Sequence, residues 1–179
     1  EQDAVRTRWS DSYPLDHELA IKLHELSSAP NYSSSYSLVS GKSHAALFRS
    51  VIKVGGREGW FHSNFLWRIR GTFDRLLMGV GTSRGRRSES TLRVNDVIDF
   101  WRVEVIEKSR QLLLRAEMKV PGRAWLEFRI DPEGERKNRL TVTAYYQSKG
   151  LWGRVYWYIF LPFHHFIFYD LIKQIEKRS

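Results

Sequence analysis

The chain has 179 residues, 42% hydrophobic and 14% aromatic, enough apolar matter for one domain with a sizeable core and a short appendage. It contains no cysteine, which excludes a disulfide framework and thiolate metal sites. The net charge of +9 is uneven: residues 1–26 hold six acids and three bases, and the rest holds 26 bases and 14 acids. A basic body with an acidic lead-in suits nucleic acid, an anionic membrane, or an anionic ligand or partner domain; a plainly solvated basic surface is the simpler alternative.

The chain opens without Met or a signal-peptide pattern, so Glu1 reads as a cut within a longer protein. Pro14 can start a helix, and Leu15, Leu19, Leu23 and Leu26 repeat at helical spacing. A Ser- and Pro-containing linker follows, which places a boundary near Ser33: residues 1–34 are the tail of a preceding domain and 35–179 a domain of their own. Tyr36–Val39 is a short strand. Ser43 caps a helix whose Ala46, Leu47, Val51 and Val54 share a face, ended by Gly55-Gly56. A second amphipathic helix is expected over Ser63–Met78.

Four alternating stretches come next. Asp96–Lys108 reads as one strand, with Asp99, Trp101, Val103 and Val105 on one face and Arg102 and Glu104 on the other. Arg110–Lys119 turns Leu112, Leu114, Ala116 and Met118 inward, and Pro121-Gly122 makes a turn. Arg123–Asp131 turns in Ala124, Leu126, Phe128 and Ile130, and Arg139–Ser148 turns in Leu140, Val142, Ala144 and Tyr146. One-sided alternation of this kind predicts an antiparallel meander, wet on one face and covered on the other.

The cover is Leu151–Ser179. After Pro162, Ile167, Phe168, Leu171, Ile172 and Ile175 form one helical stripe, with Lys173, Glu176 and Lys177 off it. Before Pro162, Leu151, Val155, Tyr158 and Ile159 form a similar stripe, but Trp152, Tyr156, Trp157 and Phe160 make the other side apolar too. The run between Arg154 and Asp170 has no formal charge, yet it is shorter than the roughly 20 apolar residues a spanning helix needs and contains Pro162, His164 and His165. A strand, two helices, an antiparallel run and a long terminal helix make an α+β chain of the helix-grip, START-like kind, a curled sheet wrapped around the last helix. The space between sheet and helix is the default binding site.

The runs EGWFHSNFLWRIRGTFDRLLMGVGTSRGRR, LRVNDVIDFWRVE, LLLRAEMKVPGRAWLEF, LTVTAYY and GLWGRVYWYIFLPFHHFIF resemble an uncharacterised bacterial domain family. Its members follow short-chain-dehydrogenase-like NAD(P)-binding domains of the nucleoside-diphosphate-sugar epimerase kind. The resemblance covers roughly residues 35–179 and implies a polyketide-cyclase-like, START-like fold in a cytoplasmic accessory domain. It implies NAD(P) in an upstream domain of the same chain, no cofactor in this part, and no catalytic residue that can be carried over.

Gly79–Arg87 fails as a dinucleotide loop, because the third glycine of G-x-G-x-x-G would fall on Arg84 and a helix precedes it; a basic loop is the plainer reading. His164 and His165 point about 100° apart on a helix and cannot chelate one metal together. His164 extends the inward stripe, as a core histidine or a polar contact in the cavity. Asp99, Arg102 and Glu104 place a charge on whichever face of their strand looks inward. They are either structural ion pairs with Arg115 or Lys119, or weak candidates for acid–base chemistry. Trp125 and Tyr145 lie among Arg115, Lys119 and Arg129 on the outer face, but Glu117 and Glu127 share it, which argues against nucleic acid and for a protein interface.

The expected function is a module that holds a small hydrophobic or amphipathic ligand. Leu114, Met118, Leu126, Phe128, Val142 and Tyr146 would line the pocket, with Asp99, Tyr146 and His164 as polar contacts. Two alternatives stand beside it: an enzyme part using Asp99, Arg102 or Glu104, and a homodimerisation or membrane-docking domain using the Trp152–Phe160 surface.

Overall fold

The alternating stretches of the sequence fold into a six-stranded antiparallel sheet in a computed structural model that describes residues 22–55, 91–117 and 120–179. Its strands are β1 (Tyr32–Ser40), β2 (Val97–Ile98), β3 (Trp101–Glu107), β4 (Gln111–Ala116), β5 (Gly122–Pro132) and β6 (Asn138–Ser148), in the spatial order β1-β6-β5-β4-β3-β2. Helix α1 (His44–Val51) follows β1, and helix α2 (Gly150–Lys177) closes the chain and packs on β6 and β1. This is an α+β helix-grip arrangement, a curled antiparallel sheet holding a long C-terminal helix.

Strict alternation puts one set of side chains under α2. Leu112, Leu114, Leu126, Phe128, Ile130, Leu140 and Val142 are at most 1% exposed and meet Ile167, Phe168, Leu171, Ile172 and Ile175 of the helix. Each such side chain stabilises the fold by roughly 1.5–3 kcal/mol on leaving water. Ser43 caps α1 as its position before the helix requires, accepting from the Ala46 amide at 3.2 Å. Gly55 adopts φ +81°, and a Cβ there would run into Ile98.

Five expectations need correction. β1 starts at Tyr32, inside the serine-rich stretch read as linker, because Tyr32, Ser34, Tyr36 and Leu38 alternate inward while the serines between them face out. The predicted N-terminal helix survives among the described residues as a single 3-10 turn, Leu23–Glu25; the rest of it, the helix over 63–78 and the basic loop 79–87 lie outside them. The stretch from Asp96 is a hairpin and not one strand: Val97 pairs with Arg102 and Ile98 with Trp101, so Asp99 sits in the turn at φ 56°. A bulge between Val103 and Val105 then flips the parity of β3. Val105 therefore pairs with Leu113 on the outer face, and Ile106 pairs with Leu112 on the inner one.

In α2 the expected stripe of Leu151, Val155, Tyr158 and Ile159 faces out, and Gly153, Tyr156 and Trp157 are buried in its place. The helix runs through Pro162 without a change of phase, since Pro162 is on the exposed side where the lost hydrogen bond to the Tyr158 carbonyl is tolerable. Gly153 lets the first turn approach the Pro121 carbonyl, which a Cβ would strike. The same carbonyl accepts from the Lys149 amide at 2.9 Å and from the Tyr146 hydroxyl at 2.8 Å.

The outer face, expected to be wet, is dry at its β3–β5 end. Trp125 is fully buried there with Arg102, Glu104, Arg115 and Glu117, all under 9% exposed. Arg102 grips Glu117 through Nε and through Nη2 at 3.0 Å, while its Nη1 donates to the Asn95 carbonyl at 2.9 Å. Arg115 Nη2 lies 3.5 Å from the same carboxylate. Glu104 accepts from the Leu23 amide at 2.6 Å and from the Trp125 indole at 3.1 Å. The turn at Leu23–Glu25 thus lies against the charge network.

Candidate ligand cavity

A cavity of about 550 Å³ lies between α1, the segment entering β2, and the β3–β4 turn. That volume falls within the range of small-molecule sites. Its apolar lining is Phe48 and Ile52 from the end of α1, Leu92, and Ile106 from β3; its polar lining includes Arg49, Lys108, Thr91 and Ser109.

Local chemistry explains how each arrives. The capped α1 buries Leu47 and Val51 in the core, which turns Phe48 and Ile52 towards the cavity and leaves Arg49 exposed beside them. The bulge in β3 brings Ile106 to the inner face, where unbroken alternation would have put Val105. Ser109 adopts φ 64°, and the Arg110 amide donates to the Glu107 carbonyl at 3.0 Å. That tight turn sets Lys108 and Ser109 at the rim. Two cations beside an apolar wall can hold a molecule with a greasy body and an anionic head.

The side chains expected to line a pocket lie elsewhere. Leu114, Leu126, Phe128, Val142, Tyr146 and His164 come together under α2 as packed core, each 6% exposed or less. Tyr146 stacks on Trp157 at 5.7 Å, and the His164 ring meets Trp157 at 5.1 Å and Phe168 at 5.2 Å. None of them lines the cavity at α1. Met118 is outside the described residues. Asp99 is in the β2–β3 turn, and Arg102 and Glu104 belong to the outer-face network, on the side of the sheet away from α2. Burial is the main cause that pushes the Glu104 carboxyl above its ordinary value, against the Leu23 amide that lowers it.

The cavity residues escaped sequence reading because they come from three separate stretches, and an apolar residue beside a base, as at Phe48, Ile52 and Leu92, is too common a local signal to mark a site. Among the described residues there is no cluster of three metal-ligating side chains and no helix long and apolar enough to cross a membrane.

Several solved structures resemble the chain at low similarity. A protein from Mesorhizobium loti is 11% identical with a TM-score of 0.46, covering 83% of this chain and 98% of its own. One from Chromobacterium violaceum is 7% identical with a TM-score of 0.44, covering 81% and 94%. An HSP90 activator from Plasmodium falciparum is 13% identical with a TM-score of 0.37, covering 64% and 73%. No curated protein matches. The model of one sequence family, described as a protein of unknown function, DUF2867, matches residues 27–171, and the chain belongs to that family.

Proposed function

We propose that this domain binds a small amphipathic molecule with an acidic head in the cavity beside α1. The observation that carries the reading is the pairing of an apolar wall, Phe48, Ile52, Leu92 and Ile106, with two bases, Arg49 and Lys108, around about 550 Å³. The body of the ligand would displace water from the wall, and its head would meet the guanidinium and ammonium at the rim. On this reading the ligand would be presented to a neighbour, the NAD(P)-binding domain expected upstream in the same chain.

The test is binding of dodecanoate, followed by calorimetry and by native mass spectrometry of the purified chain. Ile106→Trp should fill the cavity and cut affinity at least about tenfold, and Arg49→Glu should cut it several-fold by removing a charge contact. Unchanged affinity in both variants, with folding intact, would sink the proposal.

A further inference from the structure

From Leu151 to Tyr169 the side of α2 that faces away from the sheet is also largely apolar. It presents Trp152 at 78% exposure, Phe166 at 65% and Tyr158 at 62%, with Ile159 and Phe163 between them. At 1.5 Å per residue that strip is about 27 Å long, far beyond a scatter of single surface hydrophobics. Its composition is that of an interfacial helix: Trp and Tyr supply apolar rings with polar tips, suited to the boundary between headgroups and acyl chains. Bases bracket it. Arg154 borders the first turns, and Lys173 and Lys177 continue the same line beyond Tyr169, with Lys173 Nζ 4.1 Å over the Tyr169 ring.

Charge decides the occupant. A second copy would bring the same basic ends against the strip in either orientation, between chains that each carry +9. An anionic surface is complementary to the bases and to the net charge alike. The helix has no need to span, because its other face is committed to the sheet.

We propose that α2 docks the domain on an anionic lipid surface, lying in its plane with the Leu151–Tyr169 strip sunk among the headgroups and Arg154, Lys173 and Lys177 against lipid phosphates. The experiment is flotation of the 179-residue chain with vesicles of phosphatidylcholine mixed with phosphatidylglycerol, and with pure phosphatidylcholine. Binding is expected on the mixed vesicles, much weaker on the neutral ones, and reduced by salt. Phe166→Glu should lower partitioning about tenfold or more, and Arg154→Gln and Lys173→Gln about fivefold each. All three positions are exposed, so thermal unfolding of the free variants should match wild type. Three results would overturn the proposal: no flotation with mixed vesicles, equal flotation of wild type and Phe166→Glu, or a lipid-free dimer that Phe166→Glu dissociates. Loss of dodecanoate binding would leave it standing, since the strip and the cavity share no residue.

Discussion

Leu114 and Arg115 are consecutive residues of β4, exposed to 0% and 6%, yet they face opposite sides of the sheet and are held by different physics. Leu114 belongs to a face where water is excluded by fitted volume. Arg115 belongs to one where water is excluded from charges, each of which must find its opposite. The outer face has the harder problem, since removing ions from water costs several kcal/mol apiece before any pairing offsets it. Dryness on both sides of a sheet therefore does not require apolar residues on both sides, provided that carboxylates and guanidiniums close on one another.

The comparison predicts opposite tolerances. Glu117→Gln keeps the shape but leaves Arg102 and Arg115 facing a neutral group, and it should cost about 3–5 kcal/mol in urea unfolding. On the inner face the like-sized Leu126→Met should cost less than about 1.5 kcal/mol. If the two cost the same, the charge network is not what stabilises the outer face.

A second, smaller effect is visible in pH. Because the Glu104 carboxyl is raised above 4.5, mainly by burial, the folded state holds its proton more tightly than the unfolded one. That contribution favours the fold in full at pH below 4.5 and is lost as pH rises through the raised value. The stability of wild type relative to Glu104→Gln should accordingly fall over that window and then level off, as read from urea midpoints in a pH series.

The smallest effect sharpens the contrast by moving the same chemistry into water. Arg139 clasps Glu133 through Nε at 3.0 Å and Nη2 at 2.6 Å, much as Arg102 clasps Glu117, but in a solvated hairpin loop. Glu133→Gln should leave the unfolding midpoint within error, because screened surface pairs stabilise little.

The sequence made the inner face legible and the outer one hard to read. Within each of the last three strands an apolar residue recurs at every second position, as in Leu112 and Leu114, Leu126, Phe128 and Ile130, and Leu140 and Val142, so these strands and their inward residues could be named. The stretch from Asp96 to Lys108 broke the rule twice, at the β2–β3 turn on Asp99 and at the β3 bulge beside Glu104, and a period of two cannot register an inserted residue. In α2 both faces are apolar before Pro162, so composition could not choose between them. Carrying the phase of His164 and Ile167 back through Pro162 to Trp157 and Gly153 would have chosen correctly. The burial of Arg102 and Glu117 had no local signal, because a row of Arg and Glu on a strand is also what a wet face looks like.

One consequence of the strand order concerns time. β1 precedes the other five described strands in the chain, and its hydrogen-bonding partner β6 follows them all: Tyr32 must wait for Tyr146 and Ser40 for Asn138. Until then β1 has no neighbour on the side where its ladder will form, and α2, which packs against both strands, emerges later still. The sheet cannot seal before β6 and α2 have been made, so its closing step waits on the far end of the domain, with the slow kinetics that long-range pairing imposes.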